Sequence, residues 1–582
     1  MVRILLPLLA VVATLASGNL ASDNTVRRAQ YRGPVEQLLA AGPSGPEGGP
    51  IGAGGGAGGP LLNPVGFLEG FNRWEFWFEI NKDVLLRSRD FRRRELFPPT
   101  EPEAGAPSPP DDGRVRADDA RSAIARMLKG ALKSSDERVV RFAALGLGRV
   151  GTKDTLDTLE PIAASKDPET RRIGTLAIGL VNDRAALSRL VNMLGDAESP
   201  PEARVAAALA IGLHGRREGS RFLVDYLKKH LTPATVLGAD KDVFAAAVVG
   251  IGLCRDHAAA PYLRATYTSL HEERQGRTRP LETAILTALG RIGDPVGLLS
   301  LLDALDDKDL DLRRAAALAL GDLGQSAAVS PLVSALEEDH DDQVRGFAAI
   351  SLGRLGGDRA RDALRRGFAS RASRTVKSFS AIGLGLAGDR SSSPDLLRAL
   401  VDKSDENLRG AYAIALGLLG DARAVEPLLK IVESHSGAAE FRGYCAIALG
   451  MIRAEGALDH LLKLLEKDND RVEVWRRALC LGIGLFGDPK AGPALRRVLV
   501  EDDRDVVREH AALALNLLRP RSEIDPLGAI LEKESRGDLA LFTVAALSGL
   551  GDRYDYPVVS ETFFNSNYRI RLPLLEELQQ VL

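Results

Sequence analysis

Cysteine is nearly missing from this chain. Three residues, Cys254, Cys445 and Cys480, are spread over 582, too few and too scattered for a disulfide framework. A Cys445–Cys480 bridge is conceivable, but each cysteine fills a small apolar position of the repeat described below, where a buried thiol serves as a small hydrophobe. Neither sign of charge is in excess: 76 basic and 79 acidic side chains leave −3, which argues against a nucleic-acid binder. No run reaches the roughly 20 apolar residues of a membrane span. The eight histidines form no H-E-x-x-H and no zinc spacing. No G-x-S-x-G, Walker loop or Cys–His arrangement stands out. These absences lead to the expectation of a non-enzyme with no metal and no cofactor.

Aromatic residues are scarce too, at 5%, yet they crowd into "RWEFWFEINKD" at 73–83. Around that island the chain reads as a series of segments. Residues 1–21 carry Arg3, the apolar run Ile4 to Ala16 and then small residues, the pattern of a signal peptide. The expected location is therefore outside the cytoplasm, periplasmic or extracellular. Residues 22–60 are a Gly/Pro-rich, disordered tether, 61–97 hold the aromatic segment, and 98–118 are a Pro-rich acidic linker.

The rest is repetitive. "RRAAALALGDLG" (313–324), "RGFAAISLGRLG" (345–356) and "RGAYAIALGLLG" (409–420) are three of thirteen copies between Val140 and Leu550. Anchored on the first glycine of the last four residues, the copies fall at 148, 179, 212, 252, 290, 321, 353, 385, 417, 450, 484, 516 and 548, the last two being Asn and Ser. One residue before the anchor is always Leu or Ile, and two before is always Gly, Ala or Ser. Such a block predicts a helix buried on most of its surface, approached closely by its neighbours. Three after the anchor, nine copies have glycine, suited to ending a helix in the left-handed conformation. Asp294, Asp358, Asp389, Asp421, Asp488 and Asp552 follow it as candidate caps. A second amphipathic pattern then appears, as in "AVEPLLKIV" (424–432).

Each unit is thus two antiparallel helices that must stack on others to bury their apolar faces. The predicted fold class is all-α, an α-solenoid or superhelix of about thirteen two-helix units over residues 119–551. Atypical end caps are expected, the C-terminal one at 552–582. At 8–10 Å between packed helices, a curved rod on the order of 100 Å long is expected. The pattern "D-x-x-x-R…A-A…L-G-x-x-G-D" resembles the HEAT repeat family, in particular the short HEAT-like repeats first associated with phycobilisome lyases. The Trp-rich segment before the repeats is similar to that of exported bacterial HEAT-repeat proteins. The resemblance is specific for architecture and nearly silent on activity.

Eight arginines stand eight places before the anchor: Arg171, Arg204, Arg313, Arg345, Arg409, Arg442, Arg476 and Arg508. A basic ladder for an acidic ligand is one reading; the favoured one is structural pairing with neighbouring carboxylates, because the positions recur with the repeat. "GLGRVG" (146–151), "GLGLAG" (383–388) and "GIGLFG" (482–487) satisfy G-x-G-x-x-G, but here the glycines close a helix instead of opening one onto a pyrophosphate. The HEAT-like deoxyhypusine hydroxylases need several His-Glu pairs for two irons, and only His271-Glu272 occurs.

Two longer intervals place insertions at 228–242 and 269–280, where the ladder arginine gives way to Phe244 and Glu282. Insertions in solenoids fall in loops on one face, often the binding face. They nominate His230, Asp240, Asp242, His271, Glu272, Arg274 and Arg277 as partner-binding residues. For the aromatic segment, with Phe71, Trp74, Trp77 and Phe78 at its centre, three readings compete. These are a membrane-surface helix, a partner-binding peptide, and an N-terminal cap helix folding back onto the first repeats. The last is favoured, since a large exposed aromatic patch is rare on a monomer. The functional expectation is an exported, non-catalytic scaffold for protein partners. The alternative is an accessory factor or enzyme, lyase- or chaperone-like, with an unrecognised site near 228–282.

Overall fold

The computed structural model describes residues 74–85 and 118–552, apart from short stretches at 152–153, 182, 273–277, 370–372, 403–405, 435–437, 455 and 468–471. The expected signal peptide, tether, Pro-rich linker and C-terminal cap, with Phe71, Arg274 and Arg277, lie outside the described residues. Every regular element among the described residues is helical.

Two layers alternate along the chain. The Leu-Gly blocks form one layer, for example Arg279–Ile292, Leu310–Leu323 and Asp342–Leu355, and the amphipathic segments between them form the other, for example Leu298–Leu305 and Val329–Glu338. Leu-Gly helices pack on their counterparts in both neighbouring repeats, whereas second-layer helices pack chiefly on the Leu-Gly helix that follows them in the chain. The small residues explain the difference. A Cβ added at Gly484 would lie 2.7 Å from Cα of Ala514, and one at Gly290 would lie 2.8 Å from Cα of Ala319. In each case the facing residue stands two before the next anchor, so the always-small column two before the anchor receives the anchor glycine of the preceding repeat. The layers are drawn together on one side only, and the stack curves toward the Leu-Gly layer.

Among the described residues most turns that leave a Leu-Gly helix take a positive φ, as at Gly293, φ 74°, whereas Gly551 keeps −87°. Three copies reach a positive φ without glycine: Arg255, Arg453 and Arg519 take φ 50°, 56° and 53°, at a steric cost of roughly 1–2 kcal/mol each. Asp294 and Asp421 then accept backbone N–H bonds from Val296 and Arg423 at 2.9 and 3.0 Å, starting the next helix.

The expected rod does not have free ends. Helix Glu137–Val150 of the first repeat packs against Gly537–Leu550 of the last, and the repeats close into a ring. The seam reproduces the ordinary interface: Gly146, two before the first anchor, faces Ser548, which is the thirteenth anchor. Arg149 pairs with Asp552 at 2.7 Å and Arg138 with Asp538 at 2.9 Å. Ser134 Oγ donates to the Ser535 carbonyl at 2.6 Å, and the Gly537 N–H donates to Asp136 at 3.1 Å. Helix Asp118–Ala131 bridges the seam in the outer layer, touching Glu137–Val150, Ile524–Lys533 and Gly537–Leu550. The terminal apolar faces therefore cover each other. Thirteen equal steps close a circle at about 28° each, a rotation set by the small per-repeat turn of a solenoid.

Candidate functional site

At about 100° per residue, positions six and three before the anchor share the helix face opposite the invariant Leu or Ile, which packs on the outer layer. That face is the ring's inner wall. Three before the anchor it presents Ile350, Ile382, Ile414, Ile447 and Leu481, an aliphatic column. Six before, it carries Phe379, Tyr444 and His510.

The aromatic segment lies on this wall. It forms the helix Trp74–Leu85. Trp77 meets Phe379 edge-on at 5.7 Å between ring centroids. Tyr444 takes both Trp74, at 4.8 Å, and Phe78, at 5.8 Å. Trp74, Trp77 and Phe78 are all buried, as are Glu75, Asn81 and Lys82. Gly410 opens a notch for the first indole: a Cβ there would come within 3.0 Å of Trp74 Cζ2. At the far end Lys82 Nζ sits 3.4 Å from His510 Nε2. His510 Nδ1 lies 2.8 Å from the Val506 carbonyl, so Nδ1 carries the proton and Nε2 accepts from the ammonium. The segment thus folds back, but onto the repeats anchored at 385 to 516 and not onto the first ones. The reason is local: that stretch combines aromatic residues six before the anchor with a glycine seven before it.

The ladder arginines are engaged within the fold. Arg345 and Arg409 donate to the carbonyls of Leu336 and Leu400, near the C-terminal ends of outer helices, at 2.9 and 2.7 Å. Arg171 does the same to Ser165 at 3.0 Å, and Arg508 bonds the Asp502 carbonyl. Arg204, Arg313 and Arg476 pair with Asp240, Asp339 and Asp502 at 2.7, 3.0 and 2.7 Å. Arg442 stacks 4.2 Å over the Trp475 ring. Among the aspartates that precede them, Asp167, Asp309 and Asp341 cap helix N-termini.

The two irregular repeats place their loops on one rim, where outer helices lead into inner ones. In the first, Asp240 holds Arg204 with both carboxylate oxygens, and Asp242 opens helix Lys241–Cys254. His230 lies against Tyr226, centroids 4.6 Å apart, and its carbonyl accepts from Thr235 Oγ1 at 2.6 Å. Val236 is tucked in, while Leu237 beside it is 39% exposed. In the second, buried Glu282 accepts from Thr278 Oγ1 at 2.9 Å and from Arg279 at 2.6 Å. Arg279 also reaches Asp309 at 3.2 Å. His271 lies between Glu282 and Asp307, each 3.3 Å away, stacked on Tyr267 at 5.5 Å. Burial, aided by the Glu282 and Asp307 charges, pushes the Tyr267 phenol well above its usual range. Glu272 ends its helix facing solvent. Asp240 and His271 are thus committed to contacts within the fold.

Chemistry elsewhere is sparse. The three cysteines are free and buried, so Cys445 and Cys480 form no bridge. Burial pushes the Cys254 and Cys480 thiols up to about 12. The G-x-G-x-x-G matches end helices, at Gly151, Gly388 and Gly487 with positive φ. No metal-holding group of His, Cys, Asp and Glu occurs among the described residues, and no described helix is long and apolar enough to cross a membrane.

A family model for HEAT repeats matches residues 298–385, 363–438, 393–475 and 473–548; the repeats are HEAT-like and the fold is an α-solenoid. No curated protein matches the chain. Among similar solved structures is human deoxyhypusine hydroxylase in complex with glycerol, 21% identical over 45% of this chain and 97% of that one, TM-score 0.23. Another is the complex of CpcE and CpcF of phycocyanin lyase from Nostoc, 22% identical over 46% and 98%, TM-score 0.29. A third is importin beta, 14% identical over 74% and 70%, TM-score 0.34.

Proposed function

We propose that this protein is an exported, non-catalytic scaffold that binds a protein partner through the solenoid surface, with the rim loops at 228–282 as its specific contact. One observation carries the reading. The loop after His230 is tied down by paired Thr232 and Thr235, the Thr232 N–H donating to Thr235 Oγ1 at 2.9 Å, and that fixed loop holds Leu237 out to solvent. An ordered loop presenting an apolar side chain suits a contact with another protein.

The test is capture of partners by the mature protein, its Leu237→Asp variant and a variant with 228–242 shortened to the ordinary repeat length. Loss of the same captured protein in both supports the reading, and unchanged capture in both overturns the site. The rival, an enzyme or accessory factor, draws on the charged cluster around buried Glu282. Turnover abolished by His271→Ala in a protein that keeps its unfolding midpoint would favour it.

A further inference from the structure

The inner wall is already being used as a receptor for a helix. Among the described residues the docked segment is helical from Trp74 to Leu85. The wall's features are specific. Phe379 and Tyr444 offer ring faces and edges, Gly410 leaves the notch for one indole, and His510 offers Nε2 to a lysine. The occupant fits imperfectly: the Trp77 indole is fully buried, and its N–H has no hydrogen-bond partner among the described residues. A buried donor left unpaired weakens docking by roughly 1–3 kcal/mol. Between this helix and the repeats run the 32 residues 86–117, so helix and wall belong to one chain and their docking is intramolecular.

We propose that this stretch of the inner wall is a groove for an amphipathic helix of a protein partner, and that the chain's own helix holds the place until displaced. The helix would carry aromatic residues matching Trp74, Trp77 and Phe78 and a lysine matching Lys82. The proposal deepens the scaffold reading by naming a partner class, and rests on that reading. A weakly fitted internal occupant sets a threshold: only a helix that outcompetes it at its high local concentration enters.

The experiment uses full-length protein and labelled synthetic peptides. One peptide spans residues 70–88; a second places Trp, Trp, Phe and Lys at the same four positions on an otherwise Ala/Glu/Lys helix; a third has those four residues shuffled out of register. Each is titrated by fluorescence anisotropy into wild type and into the Trp74→Ala/Trp77→Ala/Phe78→Ala variant. The first two are expected to bind the variant at least about a hundredfold tighter than wild type, because the cis helix no longer competes, and the third to bind neither. Gly410→Leu or Tyr444→Ala, added to the triple variant, should abolish binding, with the unfolding midpoint showing the repeats intact. Equal binding to wild type and variant, or indifference to both wall substitutions, overturns the groove. Binding by the native peptide alone reduces the helix to an internal plug and overturns the partner claim. Neither result touches the rim loops, whose failure is read separately in the capture assay.

Discussion

Gly146→Val separates a ring from a rod by the sign of its effect. In an open solenoid residue 146 would lie on a terminal face, and replacing a helical glycine would raise stability by a few tenths of a kcal/mol. In the ring an added Cβ overlaps Ser548, lying 2.8 Å from its Cβ, and stands 3.1 Å from Leu128 Cδ1. Overpacking of this kind costs about 1–3 kcal/mol. Should the seam open instead, the Arg149–Asp552 pair, its side chains 14% and 4% exposed, separates into water along with the apolar contacts of the seam. The expected loss is at least about 1 kcal/mol. Denaturant unfolding of the full chain measures it against Gly130→Val, on a helix position with nothing within 4 Å. A second readout is a short bis-maleimide joining Ser134→Cys to Ser535→Cys, which should form a closed loop of altered mobility on a denaturing gel. No cross-link, and Gly146→Val no worse than Gly130→Val, would refute the ring.

Arg255→Gly should stabilise by about 1 kcal/mol, because glycine adopts the φ of 50° without the side-chain clash; a lower midpoint in thermal unfolding would mean the arginine side chain outweighs its backbone. The native protein should react with a thiol reagent far more slowly than its unfolded chain, since burial raises all three thiols; full labelling within seconds under native conditions contradicts the packing. At Asp389 burial alone would raise the carboxyl, but bonds from Arg365, Ser392 and Ser391 win and hold it at about 2 against an ordinary 3.8. A depressed pKa stabilises above the unfolded value, so this contribution is present above about pH 4 and lost as pH falls toward 2. With Arg365 partly in solvent it is about 1 kcal/mol, and Asp389→Asn should flatten the stability profile in that window alone.

The repeat was legible because its physics is local. The Leu or Ile one before the anchor, the two small columns and the Gly-Asp turn each record a contact made at every interface. Ring closure was not legible, because it depends on a rotation accumulated over thirteen interfaces, and no column encodes the angle. Gly146 and Ser548 look like ordinary members of their columns, and nothing in either names the other. The aromatic helix was legible as something covered, but not where. Its docking site needed Phe379, Tyr444 and His510 recognised as facing inward, a signal present in the six-before column and readable only once that column was assigned to the wall. Asp240 and His271 stood out through the insertions around them, yet pairing with Arg204 and with Glu282 and Asp307 was invisible without coordinates.

Joining the first repeat to the last changes what the number of repeats means. An open stack tolerates gain or loss of a unit, because only a terminus moves, and its outermost unit can peel away by breaking one interface. Here the same peeling must break two interfaces at once, wherever it starts, so no repeat is the weak one by position. A fourteenth unit, or the loss of one, leaves a mismatch of about 28° that all remaining interfaces must share. The copy number has become a boundary condition of the fold.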